Sequence, residues 1–398
     1  MASAGMPPDD ALIGLRIAKH DRWHHDGVTN LRSNRFEGIT MAWLDLPGLF
    51  FTTLSLSAAR VARGLLRCLL AVLALAATAQ AMADWPDESA PQFQHSIVGD
   101  PADVKPGRMP SPSLVLMGGG RSVPDAFRWM MERSGGGNFV VIRAAGTDVY
   151  NDYLYSLGGA SSVETLVIPS REAANNPFVV SRVRQADALF IAGGNQGDYV
   201  RYWKNTPLER AIHELAASNV PIAGFSAGLA ILGEYAFTAE RGPIRSAAAM
   251  ADPFDQAITL SHDFLALPDL RNTITDSHFD TRDRMGRLIT FMSRLMSEGR
   301  TDTVRGIGVS SGAALLIENG WAERVGEGSV YFLETKTPPE VLQPSLPLTH
   351  RDIRIQRLDG AGRFDMRRWS GKAEELEQYS ISVVNGTLDP YRAANREQ

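Results

Sequence analysis

From residue 113 to residue 223 the chain repeats one pattern: a short uninterrupted apolar run, a glycine-rich or polar turn, then a stretch with helical spacing. The run 113–117 meets Gly118-Gly119-Gly120, and a helix is expected over 124–134. Further strands are expected at 139–143, 163–168 and 188–192, the last ending at Gly193-Gly194. A helix over 208–217 and a fifth strand at 220–223 follow. Strands without polar alternation are covered on both faces, and strands that alternate with helices pair in parallel. The fold class that follows is α/β, a mostly parallel central sheet flanked by helices. In such sheets functional side chains gather where strands end and loops begin. After Gly306 the spacing tightens, and strands at 306–317 and 329–333 predict antiparallel additions to the same domain. Residues 338–347 read as a proline-rich loop and 371–398 as a polar C-terminal tail.

Composition narrows the function. Lys and Arg total 40 against 45 Asp and Glu, a net charge of -5, so the chain lacks the fold-wide basic field that a nucleic-acid partner needs. Its one Cys excludes a disulfide framework and a zinc site built on clustered thiolates. Neither a metal nor an organic cofactor is expected.

The N-terminal part has its own logic. Arg60, Arg63 and Arg67 precede an uncharged stretch that starts at Cys68, and Ala79-Gln80-Ala81 and Ala81-Met82-Ala83 follow it. A basic head, a short apolar core and a small-residue exit are the parts of a secretory signal peptide. The alternative is a membrane anchor, but the uncharged run 68–83 is shorter than the roughly 20 residues a bilayer requires. The expected organisation is an extension at 1–59 from an over-extended gene start, a signal at 60–83, a polar leader at 84–110 and a domain at 111–370. Export to the periplasm or the medium follows, with no stable membrane insertion after cleavage.

Gly224-Phe225-Ser226-Ala227-Gly228 follows the fifth strand and precedes Leu229-Ala230-Ile231-Leu232, which can begin a helix. Flanking glycines allow the sharp turn that lifts a serine hydroxyl clear of a sheet, and the Ala227 N–H then faces the attacked carbonyl. The earlier glycine triplet has Val123 where a dinucleotide fingerprint needs glycine, and it lacks the ending of a phosphate loop. It reads as a structural turn with one N–H toward a substrate. A serine nucleophile needs a base. His95 lies in the leader, His213 and His350 read as surface residues, and His262 sits among apolar neighbours as a packed core residue. His278 differs, because Asp276–Leu288 holds one histidine, three arginines and three aspartates. That block is either a solvated helix start or a pocket for a carboxylate. Gln196 ends the fourth strand as a surface amide or a substrate-orienting donor.

Together these blocks resemble cyanophycinase and its relatives, serine peptidases that include the aspartyl dipeptidases. The matching elements are the glycine triplet, Gly193-Gly194-Asn195-Gln196, the elbow, Phe264-Leu265-Ala266-Leu267-Pro268, the Asp276–Leu288 block and Gly306-Ile307-Gly308-Val309. The resemblance implies a class I glutamine amidotransferase-like (flavodoxin-like) fold, a homodimer, Ser226 as nucleophile and His278 as base. It further implies oxyanion donors at Ala227 and Gly194, and substrate contacts from Gln196, Asp276, Arg282, Arg284 and Arg287. The implied substrate is a peptide with aspartyl units, cyanophycin itself being cut to β-Asp-Arg dipeptides.

The chain departs from that pattern where the family places Asp-Glu after Gly-x-Gly-hydrophobic, with the Glu orienting the histidine. Ser310 and Ser311 stand there instead. Three arrangements are open: a Ser–His dyad steadied by the Ser311 hydroxyl, an acid recruited from elsewhere with Asp276 the candidate, or an impaired enzyme. Ser277 and Phe225 also depart from the pattern and are expected to reshape the pocket. The readings that follow are a cyanophycinase-type peptidase, a peptidase or dipeptidase for other acidic peptides, and an exported binding protein.

Overall fold

The computed structural model describes residues 92–102, 111–265, 267–299, 303–372 and 376–389, with the backbone of 392–393. The expected extension and signal segment lie outside the described residues, as do parts of the leader and the tail.

The first sheet is built on β1 (Gln94–Gly99), β2 (Ser113–Met117), β3 (Asn138–Arg143), β4 (Ser162–Val167), β5 (Ala188–Ile191) and β6 (Ile222–Phe225). β4, β3, β5, β6 and β2 lie side by side in that order and pair in parallel. Along β2, Leu114 and Leu116 enter one core cluster while Val115 and Met117 enter another. That is the two-residue period of a strand buried on both faces. Helices Pro124–Ser134, Pro177–Arg184 and Pro207–Ala217 each start on a proline, where no N–H is needed. The last two are capped by the Asn176 and Thr206 side chains. The chain is thus α/β with a parallel centre, as its apolar periodicity predicts.

After β6 the chain moves between two sheets. β7 (Tyr235–Phe237), β8 (Leu260–His262), β9 (Thr273–Asp276) and β10 (Val304–Val309) lie in a second sheet. β11 (Ala313–Glu318) and β12 (Trp321–Gly326) return to the first, antiparallel beside β2, and β13 (Val330–Thr335) and β14 (His350–Leu358) go back to the second. The expected single strand at 306–317 is therefore two strands in different sheets. Gly312, at φ +77, makes the break that an unbroken strand cannot contain. Some C-terminal strands are antiparallel additions to the first sheet, as expected; the second sheet, with its own buried cluster, is not foreseen.

Two segments read as polar surface are strands. β1, within the expected leader, pairs antiparallel along β4 from Gln94↔Val167 to Gly99↔Ser162. His95 Nε2 lies 2.7 Å from the buried Glu164 carboxylate, which also receives Arg182 at 2.8 Å. β15 (Arg363–Asp365) and β16 (Ser370–Gly371) precede the expected tail or meet its start; within the tail, β17 (Glu377–Val384) pairs with β14 and sends Tyr379 and Val383 into the second core. Strands at or beside a sheet margin with one wet face carry polar sequence, which hid both. Two histidines also change place. His350, expected at the surface, is wholly buried between Ser293 Oγ at 2.7 Å and Thr335 Oγ1 at 3.0 Å. His262, expected in the core, is half-exposed and bonded to Asp263.

Cutting the chain after Lys372 would remove β17 and open the edge of β14. The shortened protein should melt about 5 °C or more below the full chain by circular dichroism; an unchanged melting temperature would mean that β17 contributes nothing to stability.

Candidate active site

β6 runs two residues further than its apolar run suggested, so Ser226 stands at its carboxyl end. Ser226 has φ +52, in the left-handed region that side chains disfavour. Its N–H donates to Met117 O at 3.0 Å, and the Gly228 N–H donates to Phe225 O at 2.8 Å. A Cβ on Gly224 would stand 2.6 Å from the Gly228 carbonyl carbon, and one on Gly228 would stand 2.8 Å from that of Ile191. The elbow is thus wedged against the end of β5, where Gly193-Gly194 begins, and both glycines are sterically required. The expected helix after it is only a single 3-10 turn, Leu229–Ile231. Phe225 does not reshape the pocket; its ring is buried in the core cluster that holds Met117 and Phe190.

His278 arrives from the second sheet, two residues beyond β9, also with positive φ at +45. Its N–H donates to Gly118 O at 2.7 Å, which ties the loop after β9 to the turn after β2. The imidazole is buried, and its Nε2 lies 2.8 Å from Ser226 Oγ. A Cβ on Gly119 would stand 2.6 Å from the imidazole Cε1 and 3.0 Å from Ser226 Cβ. The glycine triplet is therefore part of the site, since a side chain there would occupy the space of the ring. Gly308 has a related role, because a Cβ there would stand 2.5 Å from the Phe279 ring, which packs across it.

On the far side of the imidazole, Nδ1 lies 3.1 Å from Ser311 Oγ, and Ser311 Oγ lies 2.9 Å from Thr281 Oγ1. Asp280 Oδ1 accepts the Ser311 N–H at 3.1 Å and the Thr281 N–H at 2.8 Å. Ser310, at the other family acid position, is buried with no hydrogen-bond partner for its hydroxyl. Asp276, the candidate substitute acid, is committed elsewhere. Its carboxylate receives Arg287 Nε at 2.8 Å, Arg287 Nη2 at 2.6 Å and Arg284 Nη1 at 3.0 Å. The expectation that it orients His278 or meets a substrate guanidinium is corrected accordingly: Ser311 meets the imidazole Nδ1, and the buried Asp276 carboxylate faces Arg284 and Arg287 instead.

This ion cluster has a physical logic. Burial pushes the Asp276 carboxyl up, but the Arg287 and Arg284 guanidiniums beside it prevail and hold it below the usual carboxylate range. Burial brings Arg284 down to about 10, and Asp276 opposes that fall, so the pair stays charged at neutral pH. Arg287 is itself buried and stacks over Phe237 at 5.2 Å. Asp276 and Arg287 thus hold the loop that carries His278, while Arg284 reaches the Ser277 carbonyl at 2.7 Å and its hydroxyl at 3.3 Å.

Beside this loop opens a cavity of about 740 Å³, lined by Arg245, Arg282, Arg284, Asp280 and Thr281 among others. Arg282 is exposed at its rim. Arg245 comes from the segment before helix Ser246–Ala251; its carbonyl accepts the Ala249 N–H, and its guanidinium has no hydrogen-bond or ion-pair partner among the described residues. No sequence signal singled it out; its place is set by Ser246, whose hydroxyl binds the Asp283 carbonyl and accepts the Arg287 N–H. Gln196 is not among the residues that line this cavity; it donates its amide to Phe237 O at 3.2 Å. Ala227 is buried and its N–H has no partner among the described residues, while Gly194 is exposed at the end of β5. Among the described residues no group of three or more His, Cys, Asp or Glu could hold a metal ion, and no helix is long and apolar enough to cross a membrane.

The sequence model of peptidase family S51 matches residues 147–325, a span that includes Gln196, Ser226, His278 and Ser311. Over that span the chain resembles peptidase family S51. It is 26% identical over 214 residues to a cyanophycinase of Nostoc, across 52% of this chain and 66% of that relative. It is 25% identical over 225 residues to a cyanophycinase of Synechococcus elongatus, across 55% of this chain and 65% of that one. The match thus spans just under two thirds of the length of these relatives. A solved peptidase from an acI-B1 Actinobacterium is 18% identical and covers 65% of this chain and 98% of its own, at a TM-score of 0.42.

Removing Asp276 would leave two guanidiniums facing each other in the interior. Asp276→Ala should lower the unfolding free energy at pH 7 by about 3–5 kcal/mol in urea melts. Because the folded carboxyl titrates below its unfolded value, its contribution is full above about pH 4 and fades as pH falls further. The gap between variant and wild type should therefore narrow in acid; a gap independent of pH would contradict the ion-pair account.

Proposed function

We propose that this chain is an exported serine-type peptidase acting on aspartyl peptides, with cyanophycin as its first candidate substrate. The observation that carries the proposal is the 2.8 Å contact between Ser226 Oγ, on a left-handed elbow, and His278 Nε2. In the reaction Ser226 Oγ attacks the carbonyl carbon while His278 Nε2 takes the hydroxyl proton. Charge develops on the carbonyl oxygen beside the Ala227 N–H, with the Gly193-Gly194 turn as the second source of donors. Collapse of the tetrahedral intermediate breaks the C–N bond, and His278 returns its proton to the leaving amine. Water, deprotonated by the same imidazole, then hydrolyses the acyl-serine.

The substrate class rests on charge. Arg245, Arg282 and Arg284 line a cavity large enough for a short peptide, and fork-shaped guanidiniums suit an aspartyl carboxylate. The resemblance to the cyanophycinase family implies substrate contacts from Arg282 and Arg284, and β-Asp-Arg would be the product. Export rests on the basic-apolar-small segment 60–83, and a homodimer on the family resemblance alone. The absence of a carboxylate at Ser311 favours one rival, an exported protein that binds acidic peptides without cutting them. A second rival cuts aspartyl dipeptides instead of the polymer.

Purified protein incubated with cyanophycin should release β-Asp-Arg, and a fluorophosphonate should label Ser226. Ser226→Ala should abolish both, and Gly119→Ala should reduce both at least about 100-fold, since its methyl would displace the imidazole. Labelling with cleavage of aspartyl dipeptides but no release from the polymer would move the substrate to the second rival. An unlabelled Ser226 in folded wild type would leave only the binding protein.

A further inference from the structure

The hydroxyls behind His278 have a fixed direction, and that direction decides which imidazole nitrogen can act as base. Thr281 Oγ1 lies 3.5 Å from the His278 carbonyl oxygen, which also accepts the Arg282 N–H at 3.1 Å. A carbonyl only accepts, so Thr281 must be the donor in that bond. With its proton used there, Thr281 Oγ1 can only accept from Ser311 Oγ, 2.9 Å away. With its own proton used in turn, Ser311 Oγ can only accept from His278 Nδ1, 3.1 Å away. Nδ1 therefore carries the ring proton, and Nε2 presents a lone pair to Ser226 Oγ at 2.8 Å. In the reverse orientation Ser311 would donate to Nδ1, Thr281 would donate to Ser311, and the carbonyl would lose a donor. Asp280 Oδ1 holds the two hydroxyl-bearing residues at this spacing by accepting both of their backbone N–H groups.

We infer that Thr281 is a positioning residue that sets the tautomer of His278 through Ser311, so that a chain of neutral hydroxyls anchored on a backbone carbonyl does the orienting work of a carboxylate. The inference goes beyond the proposed function and rests on it only for the rate: the tautomer is a property of the resting protein. A neutral serine hydroxyl can turn either way, whereas a carboxylate can only accept, so an enzyme with serine at this position needs a second group to set the direction. Thr281 is that group.

The test is the isosteric pair Thr281→Val and Thr281→Ser in the full protein. Proton–nitrogen correlation spectra of histidine-labelled protein, with His278 identified by loss of its signals in His278→Gln, distinguish the two tautomers. Wild type and Thr281→Ser should show the proton on Nδ1; Thr281→Val should show a mixture. The same mixture should lower kcat for aspartyl peptide cleavage about tenfold with KM held within about twofold, and Thr281→Ser should restore kcat. A Thr281→Val protein with the wild-type tautomer and the wild-type kcat would overturn the inference, and so would a wild type protonated on Nε2. If the tautomer shifts as expected but no variant and no wild type cleaves any peptide, the role of Thr281 stands and the peptidase reading is what fails.

Discussion

The whole site depends on an empty volume at Gly119. An imidazole delivered from the second sheet and a hydroxyl delivered from the first can share a proton only if nothing stands between the turn after β2 and the loop after β9. A Cβ at Gly119 would occupy that space. The neighbouring Gly118 supplies the carbonyl that receives the His278 N–H, so one glycine makes room for the ring and the next holds its backbone. Gly119 O in turn accepts the Gly312 N–H, which draws the crossing between β10 and β11 to the same point. Three loops from two sheets therefore converge on one turn.

That convergence explains how the arginine-rich block divides its labour. Three arginines and three aspartates close together could all face solvent. Here Asp276, Arg284 and Arg287 turn inward and satisfy one another, which fixes the loop, while Arg282 and Asp283 stay outside. A buried ion cluster contributes little net stability relative to apolar packing, yet breaking it is costly, so it acts as a rigid brace with a defined geometry. The positive lining of the neighbouring cavity comes partly from this brace and partly from Arg245, a residue far away in the chain.

Much of this was legible in the chain because it is governed by local chemistry. Short, mostly apolar runs, two of them ending on glycine, identified β2 to β5 to within one residue, and Pro124–Ser134 matched its expected helix at both ends. The elbow and His278 were legible because glycine spacing and a dense charged block are unusual locally. The strands β1 and β17 were not, since a strand at or beside a sheet margin needs only one apolar face, and the strands β4 and β14 that they extend are not their neighbours in sequence. The roles of Gly119 and Arg245 were hidden for the same reason: each is defined by an atom from another element. Asp276 was misplaced because adjacency to His278 suggested contact, whereas the arginines beyond it offered the stronger partners.

The sequence by itself determined the α/β class, the sharp turn that carries Ser226 and the choice of His278 as its partner, because periodicity, glycine spacing and residue chemistry act over a few neighbours. Only the tertiary structure decided what stands behind the imidazole. Which partner meets Nδ1 depends on how the β10–β11 crossing packs against the loop after β9, and that packing is set by contacts between two sheets. A serine in place of an acid reads as a loss in one dimension; in three it meets a threonine that completes the hydrogen-bond chain, because distance in space, unlike distance along the chain, is what an O–H group senses.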